Sequence, residues 1–438
     1  MTPEWGSVAA FIHETTYADL PTEIQQQTRL CLLDLVGVAA AGTATPLSRI
    51  LRDHAHRQAP GSGGSPRLLF DGRRVGASHA ALANAGTLDS MDGHDGHRLV
   101  KGHAGVTVLP AALAFLDGDC DRSTHDLVAA LAVGYEIALR AGITLHRTAR
   151  DYHSSGAWNS LGAAAVGARL LMLDSRATWH ALGIAEYSAP RGPMMRAIAH
   201  PTMVKDSSAW GAQAGVAAAL LAAAGFTGGP AELTQANGWD DLGSRWRISE
   251  QYFKPYPVCR WAQPAVQAVL TVLTEHSVPA ELIARVEVTT FEAATRLNTA
   301  SPKTTEEAQY SLPFAVAAAV LHGEVSTASV LHPGSSADVL RMASMVRLVS
   351  SPEMTREFPG ERRAEVRVVL EDGRTFSSGP TTAPGDPESP LGEPRLTAKF
   401  LSNTGLLSPR RSDALKVLLL DSEPESLHDL LPLMTDPL

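Results

Sequence analysis

The 438-residue chain is short of the features that mark many protein classes at sight. It holds three cysteines, Cys31, Cys120 and Cys259, far apart and without a CxxC spacing. That excludes a disulfide framework and a zinc ribbon, and the cysteines read as core residues. Aromatics are only 5% and charged residues 19%. No apolar run reaches the roughly 18–20 residues of a bilayer span. The longest, residues 213–225, reads as a buried helix, so no membrane partner is predicted. The N-terminus lacks a basic region ahead of an apolar one, and the chain reads as cytoplasmic. No GxSxG, no Walker motif and no GxGxxG in a βαβ setting occurs, so hydrolase-elbow, NTPase and dinucleotide-binding readings lose support. Positive charge is also in deficit: 37 Lys and Arg against 46 Asp and Glu leave −9. A nucleic acid is therefore not the expected partner, and an anionic ligand would need a local group of cations.

Alanine fills the space these residues leave. Small side chains let helices approach closely, which predicts a mainly α fold. Residues 22–41, 78–92, 107–117, 124–142, 158–172, 176–187 and 206–225 each read as an alanine-rich helix stopped by Gly, Pro or Asp. The pattern changes near residue 256. Residues 283–291 and 345–351 read as strands, and 364–379 carries Asp372-Gly373 between two strand-like runs, a hairpin signal. Helices are expected at 260–276, 305–322 and 335–343. Residues 381–395 are rich in Pro and Gly and read as a linker, and helical periodicity returns from 396. The predicted organisation is a large all-α domain made of 1–255 and 396–438, with an inserted α+β lid, 256–395. About forty residues would not hold a core alone, so the tail is expected to pack on the body. A cleft between two such parts is a usual place for a site.

The 16 histidines are the compositional excess. Three of them, His94, His97 and His103, fall in one stretch, DSMDGHDGHRLVKGHAG (89–105), with Asp89, Asp92, Asp95, Arg98 and Lys101. Gly93, Gly96, Gly102 and Gly105 between them suggest backbone bent around a small ligand. A carboxylate beside an imidazole fixes its tautomer and raises its basicity. Two other readings stand beside this one: helix-capping in a solvated loop, and a metal site from His94-x-x-His97 with Asp92 and His103, as in a metal-dependent hydrolase. Further polar groups sit where helices open: His153 before Ser154 and Ser155, then Arg196, His200 and Lys205 before Asp206, and Lys254, Tyr256 and Arg260 between restraining prolines. Several cations and imidazoles gathered in an acidic protein suit a small polycarboxylate.

At these residues the sequence resembles the MmgE/PrpD family, which includes 2-methylcitrate dehydratase, cis-aconitate decarboxylase and iminodisuccinate epimerase. The resemblance runs through LLDLVGVAAAG, SMDGHDGH…KGHAGVTVLPAALA, YHSSGAWNSLGAAAVGARLL, MVKDSSAWGAQAGVAAALLAAAGFTG, YFKPYPVCRWAQPAVQA and EEAQYSLPFAVAAAVLHG, in the family's order. It implies a helical domain with an α+β lid, a homodimer, and proton transfer without a cofactor. The family's loop aspartate falls on Asp92, its histidines on His103 and His153, and its lysines on Lys205 and Lys254. A loop threonine falls near Gly96 or His97, and a tyrosine falls on Phe314, with Tyr310 one helical turn earlier to supply a hydroxyl. The expected enzyme moves a proton next to a carboxylate. Asp92, His103, His153 and Lys205 would be catalytic. His94, Asp95, His97, Lys101, Lys254, Arg260 and Tyr310 would bind substrate, with Arg98 able to contribute. A lyase, dehydratase or decarboxylase, is the leading expectation. An epimerase and a non-catalytic carboxylate-binding member are the alternatives on the same scaffold.

Overall fold

The computed structural model describes residues 3–117 and 121–438. Cys120 lies outside the described residues; Cys31 is buried and Cys259 partly so. Helix takes 57% and strand 9%, so the fold is mainly α. The body is a stack of alanine-rich helices. Thr124–Thr148 and Ser208–Ala223 pack against Gly156–Leu170, with Ala77–Asp89 and Gly105–Leu116 completing the layer. Close approach explains the small residues: a Cβ on Gly162 would lie 2.6 Å from the Gly134 carbonyl oxygen and 2.7 Å from the Ala138 Cβ. Thr124–Thr148 is long and apolar enough to cross a membrane, but 94% of its most apolar window is buried inside the protein. It is apolar all round because helices surround it.

The tail joins this body. Leu396, Phe400, Leu415, Leu419, Leu427, Leu430 and Met434 share its core. The helix Gly392–Asn403 lies on Thr22–Gly42, where the Phe400 ring comes within 3.0 Å of a Cβ placed on Gly37.

A second core belongs mostly to residues 258–370. Its sheet places Ile283–Thr290 between Val346–Ser350, which runs parallel to it, and Arg363–Leu370, which runs antiparallel. Val286, Val288, Val366 and Val368 are buried beneath the helices Gln263–His276 and Leu312–His322. The Asp372-Gly373 hairpin forms between Arg363–Leu370 and Thr375–Ser377, with Gly373 at φ +87°. That conformation is one a side chain rarely adopts.

Several boundaries differ from the sequence expectation; the helix expected at 124–142, for one, runs on to Thr148. The first loop helix ends at Asp89 and not at residue 92, which frees Asp92 from helical geometry. The stretch 305–322 is two helices, Thr305–Gln309 and Leu312–His322. Pro313 lacks an N–H and fits only a first turn, and the Ser311 hydroxyl caps the new helix by accepting from Phe314 N at 3.0 Å. The linker contributes a short strand, Thr381–Thr382, on Arg363–Ala364. Gly96–His97 pairs antiparallel with Gln251–Tyr252 at the end of the body, and residues 256–395 meet the body where Gln309 Nε2 donates to the Ser90 carbonyl at 2.9 Å.

Candidate active site

The loop after Asp89 is folded around one carboxylate and two imidazoles. Asp92 and Lys254 are both buried, with Nζ 2.6 Å from Oδ1 and 3.2 Å from the Asp92 carbonyl. Burial alone would raise the Asp92 pKa. The Lys254 ammonium, then Lys205, outweigh it and hold the carboxyl well below the usual carboxylate range. Burial lowers Lys254, but Asp92 reverses this and raises it. Both partners are therefore charged.

His103 Nδ1 lies 2.6 Å from the Asp95 carbonyl oxygen. A carbonyl only accepts, so Nδ1 carries the proton and Nε2 keeps its lone pair. His94 meets it edge-on, ring centroids 4.4 Å apart, with its own Nε2 3.4 Å from Asp89 Oδ1. Both imidazoles are held neutral. Burial and then Lys254 lower His94 to about 3 and push His103 well down. The His103 backbone is pinned by the Ser155 hydroxyl, which accepts its N–H at 3.1 Å, and by Asn159, which donates to its carbonyl at 3.0 Å. Ser154 and Ser155, just before the helix Gly156–Leu170, thus serve the site. Ser155 donates to Asp206 Oδ2 at 2.9 Å, and Ser154 bonds Ser207 at 2.7 Å.

Asp206 forms the opposite wall. Its Oδ2 lies 3.9 Å from His103 Nε2, and its Oδ1 accepts from the Tyr310 hydroxyl at 3.1 Å. Burial, with Asp89 and Asp92 nearby, raises its pKa; Asp89 is raised by burial and Asp92. Its two neighbours, Lys205 (φ +52°) and Ser207 (φ +54°), are in the left-handed region, a strain that persists only where surroundings enforce it. Lys205 is buried, its Nζ 2.5 Å from Gln309 Oε1 and 4.9 Å over the Tyr310 ring. A cavity of about 460 Å³, lined by Arg196, His200, Val204 and Trp210, reaches Lys205 from outside.

Residues 6–249 match the MmgE/PrpD N-terminal domain, and residues 256–422 match the MmgE/PrpD C-terminal domain. The chain belongs to the MmgE/PrpD family. Among its relatives is the cis-aconitate decarboxylase of Homo sapiens, 26% identical over 432 residues, covering 91% of this chain and 87% of that protein. The Mus musculus cis-aconitate decarboxylase is 26% identical over 457 residues, covering 97% and 90%. That of Aspergillus terreus is 23% identical over 286 residues, covering 57% and 56%.

Of the residues that the MmgE/PrpD resemblance singles out, Asp92, His103, Lys205 and Lys254 come together, with His94 and Tyr310. Phe314 is buried in the lid core, and the hydroxyl at the site is that of Tyr310. His153 is not hydrogen-bonded to this cluster. It is half-buried, its Nδ1 2.8 Å from the Asp151 carbonyl. His97 turns away, its Nε2 3.1 Å from Glu250 and its Nδ1 accepting from Leu99 N. Asp95 contributes its carbonyl; its side chain accepts from Tyr135 at 3.0 Å and Gln251 at 2.8 Å. Lys101 lies 4.3 Å over the Tyr152 ring, and Arg98 pairs with Glu388. Arg260 pairs with Asp386 at 2.7 Å and donates to the carbonyls of Ala383 and Pro384. The metal reading lacks a ligand set: among the described residues no three His, Cys, Asp or Glu side chains converge to hold an ion.

The loop glycines act by absence of bulk and not by positive φ. A Cβ on Gly96 would lie 2.5 Å from Tyr252 Oη and 2.7 Å from His103 Nδ1. The one left-handed residue of the loop is Lys101, at φ +50°. Asp206, Ser155, Gln309, Tyr252 and a role for Asp89 were not legible in advance.

Proposed function

We propose that this protein is a cofactor-independent lyase acting on a small di- or tricarboxylate, by transfer of a proton at a carbon next to a carboxylate. The observation that carries the reading is the pairing of a neutral His103, its Nε2 lone pair free, with Asp206, whose carboxyl is raised toward the protonated form. That is a base and an acid facing one another in a buried site beside two lysines. The decarboxylase names of the relatives support the lyase level. For dehydration, His103 Nε2 takes the proton from carbon. The C–O bond then breaks, and the hydroxide leaves with a proton from a neutral carboxyl, Asp206 or Asp89. For decarboxylation, the C–C electron pair stays on carbon as CO₂ departs, and the same carboxyl delivers the proton to that carbon. Lys205 and Lys254 offset the negative charge that develops on the retained carboxylate.

A second reading is epimerisation, favoured by the edge-on pair of neutral imidazoles, His94 and His103, which offers two bases within one site. One assay decides between them. Proton NMR in D₂O with a panel of di- and tricarboxylic acids should show loss of substrate with release of water or CO₂. Deuterium uptake without net loss would select epimerisation. His103→Ala should keep the helical circular dichroism and lose at least about 10²-fold in rate. An unimpaired variant, or a wild type that exchanges no proton of any acid tested, would overturn the proposal and leave a carboxylate-binding protein.

A further inference from the structure

Positive charge at one end of the site exceeds the negative charge that meets it. Arg260 and Arg362 are both buried, at 3% and 6% exposure. Their guanidinium carbons lie 4.9 and 4.7 Å from the centroid of the Tyr252 ring. That ring stands edge-on to His103 at 6.5 Å, and its hydroxyl and His103 Nδ1 flank the same point at Gly96. Arg260 has Asp386 as its partner. Arg362 has no carboxylate within 4 Å among the described residues, and its Nη2 is buried without a hydrogen-bond partner. Arg260 Nε and Asp386 Oδ1 are buried and unpartnered too. Of the two guanidiniums beside the group that moves protons, only Arg260 thus has a carboxylate partner. A buried cation without a counter-ion is costly, and a planar guanidinium is best satisfied by a carboxylate bound through two hydrogen bonds.

We infer that Arg362, with Tyr252 and Arg260, forms a subsite for a second carboxylate of the substrate, and that Asp386 is a carboxylate of the chain itself which yields Arg260 to it. The inference rests on the carboxylate-lyase reading for the word substrate, but its geometry stands without it. Asp386 sits on the segment 383–391. That segment is tied down by Gly385, which accepts from Phe253 N at 2.9 Å, and by Glu388, which pairs with Arg98 at 2.6 Å. The second tie is exposed at Glu388 and half-buried at Arg98, and ion pairs this close to solvent hold weakly. Arg260 also holds the backbone of this segment through the carbonyls of Ala383 and Pro384, so it is the Asp386 side chain, and not the segment, that would turn aside for a bound carboxylate. The sequence had singled out Arg260 but not Arg362, which lies over a hundred residues further on.

Calorimetric titration of the full chain with tricarballylate, a tricarboxylate with no hydroxyl or double bond to react, tests the subsite apart from turnover. Arg362→Gln should weaken binding tenfold or more. Asp386→Asn removes the competing charge and should strengthen it severalfold. Opposite directions support the subsite, and a merely structural role for the pair would move both variants the same way. Equal affinity of Arg362→Gln and wild type, weakening in both variants, or no saturable binding by wild type overturns the inference. If the variants shift as expected and wild type still turns over no carboxylic acid, the subsite stands and the proposed activity falls.

Discussion

The charge on Asp92 exists because Lys254 is 2.6 Å away, and the two come from residues 162 apart in sequence. Neither can be removed alone without leaving a buried charge. Lys254→Met should therefore cost about 3–5 kcal/mol, the usual penalty for breaking a buried pair from one side. The double variant Asp92→Asn with Lys254→Met should recover most of that loss. Urea unfolding of the two singles and the double measures the coupling, and additive losses would show that the pair is not a unit. The residues readable from sequence were those whose type is conspicuous locally: the histidines and aspartates of 89–105, and the lone lysines beside helix starts. Asp206 was passed over because it stood only as the first residue of the helix expected at 206–225. Its environment is made by Ser155, 51 residues away, and Tyr310, 104 away. His97 carries the converse lesson. Its position in the loop looks like that of His94, but the pairing of 96–97 with 251–252 turns its ring to Glu250.

Elements explain why the tail belongs to the site although no candidate residue lies in it. The helix Gly392–Asn403 buries Leu396 and Phe400 against the body, and this fixes Lys399 one turn from a core anchor. Lys399 Nζ meets Asp34 Oδ1 at 2.6 Å and donates to the Gly93 carbonyl oxygen at 2.5 Å, so it holds the residue directly after Asp92. Burial raises the Asp34 pKa and Lys399 lowers it. Lys399→Met should destabilise the fold by about 3–5 kcal/mol, because Asp34 is left buried and alone. It should also lower the rate while leaving the native circular dichroism unchanged. Asp34→Asn in the same background should restore stability but not the full rate, since Gly93 stays unclamped; full restoration of both would show that Lys399 acts through Asp34 only. At this scale the alternation of 283–290 and the Asp-Gly turn were legible because each is local. The break at 310–311 was signalled by Ser311 and Pro313, two residues that an alanine-rich run masks. The excursion 383–391 could not be placed, since its position is set by Arg98 and Arg260 in distant segments.

For the molecule as a whole, the formal charge of −9 conceals how many titratable groups are buried in their neutral form. Burial lowers His94 to about 3 and His146 to about 4, and it lowers His97 and His103 as well. Burial also raises Asp95 and Glu136 to about 7, and the Asp89–Asp206 pair upward. The two sets act on stability with opposite signs. A histidine lowered on folding stabilises above about pH 6.5 and loses that contribution as pH falls, because the unfolded chain takes up the proton first. A carboxyl raised on folding does the reverse: the native state keeps a proton that the unfolded chain has released, so stability falls as pH rises from about 4 toward 7. Between those ranges the lowered histidines and the raised carboxyls act in opposite senses, and the dependence of stability on pH should be shallow. Below about pH 4 the unfolded carboxylates regain their protons and the opposing contribution ends. His94 and His103 are still neutral in the native state, and at about 1.4 kcal/mol per proton per pH unit stability should fall by about 3 kcal/mol per unit. Asp92, held ionised by Lys254, and Glu250, lowered to about 2 against the opposing effect of burial chiefly by its hydrogen bonds to His97 and Arg245, steepen that loss. Urea midpoints measured from pH 3.5 to 8 should therefore trace a plateau with a sharp acid edge. A steady decline through pH 6 would mean that the buried carboxyls are ionised in the native protein, and Asp206 could then not serve as the acid that faces His103.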